Sequence, residues 1–325
     1  MTGRALRNLL PGVLLIALLA ALAAALPALG ASRYVQTLVY YLAYDIVLGQ
    51  SWNLMSGMTG YVSFAQGALA GLGAYATVIA MNAGWPIAPA LAAGCLAAVV
   101  GSAVVGASSL RLRGVAFTFA TLFFQELARL ILRKLPFTGG PGGLALQDIL
   151  PVALPQILMV ALAALATVGV LVLRRSRLGI RLLAIREDEA AAASLGIGVT
   201  RLKLGVFCAS AAIAGAGGAV HGLFTASLYP DDVFSVDVSL TALAVPMIGG
   251  IATASGPVAG AALLVGIGEL LQIFAPSLHL VVIGAMLLGV VMVMPRGLMP
   301  FLARPLRRRP PAPQTAAAAS RSAAP

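Results

Sequence analysis

Lysine occurs only twice in the 325 residues, at Lys134 and Lys203, and each is followed by leucine. A Walker A loop, GxxxxGK[ST], is therefore excluded, and with it the usual lysine that cradles a nucleotide phosphate. Histidine is equally scarce: His221 and His279 show neither the HExxH pattern nor the Cys/His spacing that holds a metal. Cys95 and Cys208 each lie inside an apolar run, where a thiol behaves as a small hydrophobe, so no structural disulfide is expected. Charged residues amount to 10% of the chain. These shortages leave no catalytic constellation in view, and no enzymatic activity is expected of the chain itself.

What is abundant is apolar sequence. Hydrophobic residues reach 60%, with a mean hydropathy of +1.00, against roughly 45–50% apolar usage in soluble domains. Runs close to the ~20 residues that span a bilayer recur at 9–29, 34–53, 61–81, 87–108, 115–132, 152–173, 204–228, 240–274 and 278–294. The short alternating segments of an outer-membrane barrel are absent. The expected fold is all-α, a polytopic transmembrane helix bundle of about ten segments, some short or broken. It would occupy residues 1–302, with 303–325, poor in large apolar residues, as a disordered cytoplasmic tail. The basic start and small-residue end of 1–31 also fit a cleaved signal, but the length of the apolar core favours an uncleaved first span.

The net charge of +11 does not point to nucleic acid, because the basic residues cluster between spans rather than on a soluble face. One stretch dominates: residues 174–203 carry seven basic and three acidic side chains between two apolar runs. Lipid rejects such a stretch, since each central charge costs about 2.5–3.5 kcal/mol on insertion scales, so it reads as an aqueous loop. With Arg4, Arg7, Arg111, Arg113 and the basic tail it sets the orientation. Residues 55–60, 111–113, 174–203 and the C-terminus are expected inside, and 82–86, 138–148 and 229–237 outside. Arg133 and Lys134 run against this rule.

Glycine clusters mark two interruptions. The early segment 53–76, NLMSGMTGYVSFAQGALAGLGAYA, contains Gly57, Gly60, Gly67 and Gly71, with polar Ser63 and Gln66. The late segment IGGIATASGP contains Gly249, Gly250 and Gly256, and is expected to join two short helices. Gly67 with Gly71, Gly218 with Gly222 and Gly256 with Gly260 have the GxxxG spacing that lets helix backbones approach. Packing explains such clusters; so do broken helices lining a central pathway, as in transporters built from inverted repeats. Gly71, Gly73 and Ala76 also spell GxGxxA, but without the strand and acidic residue that a dinucleotide site needs. Among charges within spans, Glu126 and Arg129 are placed to neutralise each other. Asp45 and Glu269 are expected to reach the interface, and His221 to be a packed polar residue.

Read together, these segments are familiar. NLMSGMTGYVSFAQGALAGLGAYA, RLRGVAFTFATLFFQELARLIL, FTGGPGGL, SRLGIRLLAIREDEAAAASLGIGVTRLKLGVFCASAAIAGAGGAV, MIGGIATASGPVAGAALL and PRGLM follow in order between residues 38 and 299. The chain thus resembles the LivM-type permease subunit of branched-chain amino-acid ABC transporters. The resemblance implies a multi-pass subunit of the bacterial inner membrane, paired with a homologous LivH-type permease. It further implies two ATPase subunits, which bind ATP and Mg, and an extracytoplasmic substrate-binding protein; no cofactor is implied on this chain. Residues 174–203 match the cytoplasmic loop that such permeases insert into an ATPase groove. Glu189, Ala190 and Gly196 resemble its short acidic, alanine-rich, glycine-terminated coupling helix, and Arg186, Glu187 and Asp188 are expected to open a helix that runs to Leu195 and stops at Gly196. Ala65 and Gln66 stand where the family commonly has a Gly-His pair, and Asp45 is unexpected in its span. Urea and short-chain amide permeases share these motifs, so those substrates are the alternative. An ion-coupled secondary carrier or a scaffold is the reading from other classes, disfavoured by the docking-type loop and the lack of a charge relay.

Overall fold

Ser32 begins the first helix, its hydroxyl accepting from the N–H of Val35, and α1 (Arg33–Trp52) runs straight into a π-helical turn, Asn53–Gly57. The computed structural model describes residues 32–112, 114–148 and 150–274, together with Gly284. The expected spans at 9–29 and 278–294, the tail 303–325, and Arg4, Arg7, Arg113, His279 and the basic residues after Arg296 lie outside these. After Gly60, whose φ is +80°, residues 60–65 are not helical; α2 (Gln66–Asn82) follows. Next come α3 (Ile87–Ser109), α4 (Val115–Lys134) and, beyond two short 3-10 turns and strand β1 (Leu144–Ala145), α5 (Ala153–Arg175). The charged stretch forms α6 (Arg177–Glu187) and α7 (Glu189–Ser194) and runs into the long α8 (Val199–Thr225). Strand β2 (Ser227–Leu228), α9 (Pro230–Val233), α10 (Val236–Gly249) and α11 (Gly256–Phe274) complete the described chain.

The architecture is the expected all-α bundle. Helices α3, α4, α5, α8 and the stretch Pro230–Gly249, which α9 and α10 share, are long and apolar enough to cross a membrane. Helix α4 shows how the faces divide. Phe117, Thr121, Gln125, Ala128 and Leu132 are buried, whereas Val115, Phe119, Phe123, Leu127 and Leu130 stand exposed at helical spacing. An exposed apolar stripe of that kind suits lipid.

The core is assembled on small residues. Helices α2, α3 and α8 pack most closely, because a Cβ on Gly218 would lie 1.8 Å from the carbonyl oxygen of Ala70, and one on Gly73 2.1 Å from that of Gly215. No side chain fits there. Gly67 and Gly71 act differently from the sequence expectation. A Cβ on Gly67 would meet the Ser239 and Gln125 side chains and one on Gly71 the ring of Phe234, so this GxxxG pair admits side chains rather than a helix backbone.

The connections gather at two ends. At one, the side chain of Asn82 accepts from the N–H of Gln147 and donates to the carbonyl of Ala145, and β1 pairs antiparallel with β2 through Leu144 and Leu228. There Arg133 lies 3.5 Å from Asp231, which supplies its counter-charge. At the other end, the charged loop meets residues 57–61. The grouping agrees with the charge-derived alternation of 82–86, 138–148 and 229–237 against 55–60 and 174–203.

Candidate functional site

Each part of the charged loop has a local cause. Ser176 caps α6 by accepting from the N–H of Gly179, and Gly179, Leu182 and Ile185 form its buried face. The single helix expected from Arg186 to Leu195 is instead two. Arg186 and Glu187 close α6, and Asp188 adopts an extended conformation, φ −156° and ψ 110°, with its Oδ1 accepting from the N–H groups of Ala190 and Ala191 at 2.8 and 3.0 Å. A short carboxylate that satisfies two free amides is worth more as an N-cap than inside a helix. Helix α7 ends on Gly196, whose φ is +79°, with the N–H of Gly196 bonded to Ala193 and that of Ile197 to Ala192. This is the Schellman stop that the glycine permits.

The loop has two sides. Inward, the Arg186 guanidinium donates to the carbonyl oxygen of Gly57 at 2.7 Å, and its stem lies against Gly60. The Glu189 carboxylate accepts from the Tyr61 hydroxyl and from Lys203 Nζ, the latter at 3.1 Å. Lys203 is only 1% exposed and its ammonium stands 4.0 Å from the centre of the Tyr61 ring. Its charge is met by a carboxylate and an aromatic face. Outward, Glu187, Asp188 and Ala190 are exposed, and Leu195 is 81% exposed. Tyr61 and Lys203 were not proposed as site residues from the sequence, although one of only two lysines, at the end of the charged stretch, was a usable signal.

The early glycine segment is irregular backbone held inside protein. The N–H of Ser63 bonds the Ser56 hydroxyl, that of Phe64 the Thr121 hydroxyl, and that of Gly67 the Ser239 hydroxyl. The Trp52 indole donates to the Ser63 carbonyl, Thr118 to that of Val62 and Ser239 to that of Phe64. Side chains from α1, α4 and α10 thus replace the missing helical bonds, as non-helical backbone away from water requires. The late segment is interrupted as well, between Gly249 and Gly256, with Gly250 at φ 138° and Thr253 bridging Gly250 and Gly256. Gly249 and Gly256 pack so closely that a Cβ on Gly249 would fall 1.8 Å from the Gly256 oxygen.

The two interruptions touch. Asn53, in the π-helical turn, accepts from the N–H of Ala252 at 2.7 Å and donates to the carbonyl of Thr253 at 2.8 Å. Gln50 donates to Ala254 at 2.7 Å and to Thr167 at 3.1 Å. Neither amide was picked out from the sequence; polar residues at the end of an apolar run were the available sign.

Against this geometry, the family model for the branched-chain amino acid transport system / permease component matches residues 34–291. The chain belongs to this family. It is 28% identical over 295 residues to the high-affinity branched-chain amino acid transport system permease protein LivM of Salmonella typhimurium, covering 79% of this chain and 68% of that protein. The LivM protein of Escherichia coli is 29% identical over the same proportions. No solved structure matches significantly.

Within this permease, the remaining residues of the early segment lie in the interior. Ser63 and Gln66 are both fully buried, and Gln66 donates to Ser210 at 3.3 Å. Ser210 and Ser51 exchange hydroxyl-to-carbonyl bonds at 2.8 and 2.9 Å, tying α8 to α1. Glu126 and Arg129 pair at 2.8 Å. Tyr34 donates to Glu269, and Tyr40 hydrogen-bonds His221 at 3.2 Å.

Proposed function

We propose that this permease is the membrane-embedded subunit of an ATP-binding-cassette importer for branched-chain or other aliphatic amino acids, crossing the bacterial inner membrane in about ten segments with its C-terminus in the cytoplasm. Its assembly consists of a LivH-type permease, two ATPase subunits that bind ATP and Mg, and an extracytoplasmic binding protein that delivers substrate near residues 229–237. Two LivM relatives carry the substrate class in their names.

One observation carries the mechanism: the loop 174–203 grips the early interruption with Arg186 and Glu189 while offering Leu195 outward. A lever needs both a handle and an attachment. ATPase motion taken up at α7 would pass through Arg186 to Gly57 and through Glu189 to Tyr61 and Lys203. Asn53 would carry it on to residues 252–253, so that both interruptions shift together between outward and inward access.

The test is reconstitution of the co-purified complex in vesicles. Uptake of leucine is expected to stop on ATP depletion and to survive a protonophore. Uptake that follows the ion gradient and ignores ATP supports the secondary carrier instead.

A further inference from the structure

Asp45 is a carboxylate in the middle of α1, and among the described residues it has no hydrogen-bond or ion-pair partner. An unpaired charge within a membrane span is costly and rarely kept without use. It lines a cavity of ≈ 340 Å³ that reaches the loop 229–237 and is bordered there by Asp232 and Asp237. Tyr44 lines the same cavity; it is only 8% exposed, and its hydroxyl bonds to no described residue.

The lining chooses a sign. Three carboxylates and three tyrosine rings (Tyr41, Tyr44 and Tyr229) face the space, and among the described residues no lysine or arginine does. His221 lines it as well, but its ring is stacked 4.4 Å from that of Tyr44 and bonded to the Tyr40 hydroxyl. Carboxylates with aromatic faces attract a cation. No group of three His, Cys, Asp or Glu side chains among the described residues is arranged for a metal ion. Leu48, Val233 and Val238 supply an apolar wall.

We propose that this cavity is a binding site for the primary ammonium group of a small aliphatic ligand, with Asp45 as counter-ion, Tyr44 as hydrogen-bond partner and Asp232 and Asp237 as an attracting rim. Its place in uptake rests on the transport reading above: the substrate's ammonium end enters towards Asp45. A carboxylate on the ligand meets two acidic residues at the rim, Asp232 and Asp237, and no described basic one, so amides and amines bind more tightly than the zwitterion.

The experiment is calorimetric titration of the purified complex in nanodiscs with isopentylammonium chloride, leucinamide, leucine and sodium isovalerate. Isopentylammonium and leucinamide are expected to bind, isovalerate not to. Asp45→Asn weakens binding at least about tenfold, equivalent to about 1.4 kcal/mol, and Tyr44→Phe weakens it severalfold. Asp232→Asn, at the exposed rim, keeps the test open if Asp45→Asn fails to fold. Equal binding of isovalerate, or unchanged affinity in well-folded Asp45→Asn or in both other variants, overturns the site. Isopentylammonium that competes with leucine uptake identifies the ligand as the substrate's ammonium; binding without competition identifies a free amine. ATP-driven uptake without ammonium binding removes the site alone, whereas ammonium binding with ATP-independent uptake removes the transport reading alone.

Discussion

Lys203 and Glu189 form an ion pair at 3.1 Å in which the lysine is buried and the carboxylate is three-quarters covered. The pair joins α7 to α8, so the short helix is anchored by charge on its inner side. Truncating one partner of a buried pair typically costs about 3–5 kcal/mol, because the other charge is stranded. Glu189→Ala should therefore lower thermal stability by up to that amount, and more than Glu187→Ala, which alters an exposed side chain. The double variant Glu189→Gln, Lys203→Met should recover most of the stability while uptake per ATP hydrolysed stays low. Thermal unfolding in nanodiscs and a coupled uptake assay read the two effects separately.

Asn53→Ala would strand the N–H of Ala252 and the carbonyl of Thr253. Each buried group left unpaired costs about 1–3 kcal/mol. Asn53→Asp keeps an acceptor for Ala252 but sets a carboxylate against the Thr253 carbonyl at a fully buried position, so it should lower the melting temperature at least as far as Asn53→Ala. Hydrogen exchange at residues 250–255 should rise in both variants.

Gly218→Ala places a methyl against the Ala70 carbonyl, where the bundle has no room. Overpacking of this kind costs about 1–3 kcal/mol or more, and reduced yield of monodisperse protein is expected. Gly169→Ala and Gly205→Ala, where no described residue lies within 4 Å, should leave yield and melting temperature unchanged.

Leu195→Asp alters a side chain that touches little of its own chain. Stability should stay within about 0.5 kcal/mol of wild type, as for surface substitutions generally, while co-purification of the ATPase subunits drops. Retained ATPase binding would place the docking surface elsewhere on the loop.

The helical class and the membrane setting were legible in one dimension because they depend on composition and on runs of one polarity. Asp188 shows where that reading stopped. Helix formers on both sides suggested one helix through it, and the capping bonds of its side chain to Ala190 and Ala191 divided the helix in two. The glycines were legible as a dense set, but not their separate uses: Gly71 makes room for a ring, Gly218 for a backbone and Gly196 for a left-handed turn.

By itself, the sequence determined that lipid surrounds this chain, that residues 174–203 are a charge-dense interruption between apolar runs, and that no Walker lysine is present. Those are consequences of transfer free energy and residue chemistry, which need no neighbours. Only the tertiary structure decided that Arg186 holds Gly57, that Glu189 faces inward to Tyr61 and Lys203, and that Asn53 joins the two interruptions across about 200 positions of chain. Such contacts follow from helix rotation and packing between distant segments, and local periodicity carries no record of which partner a side chain will meet.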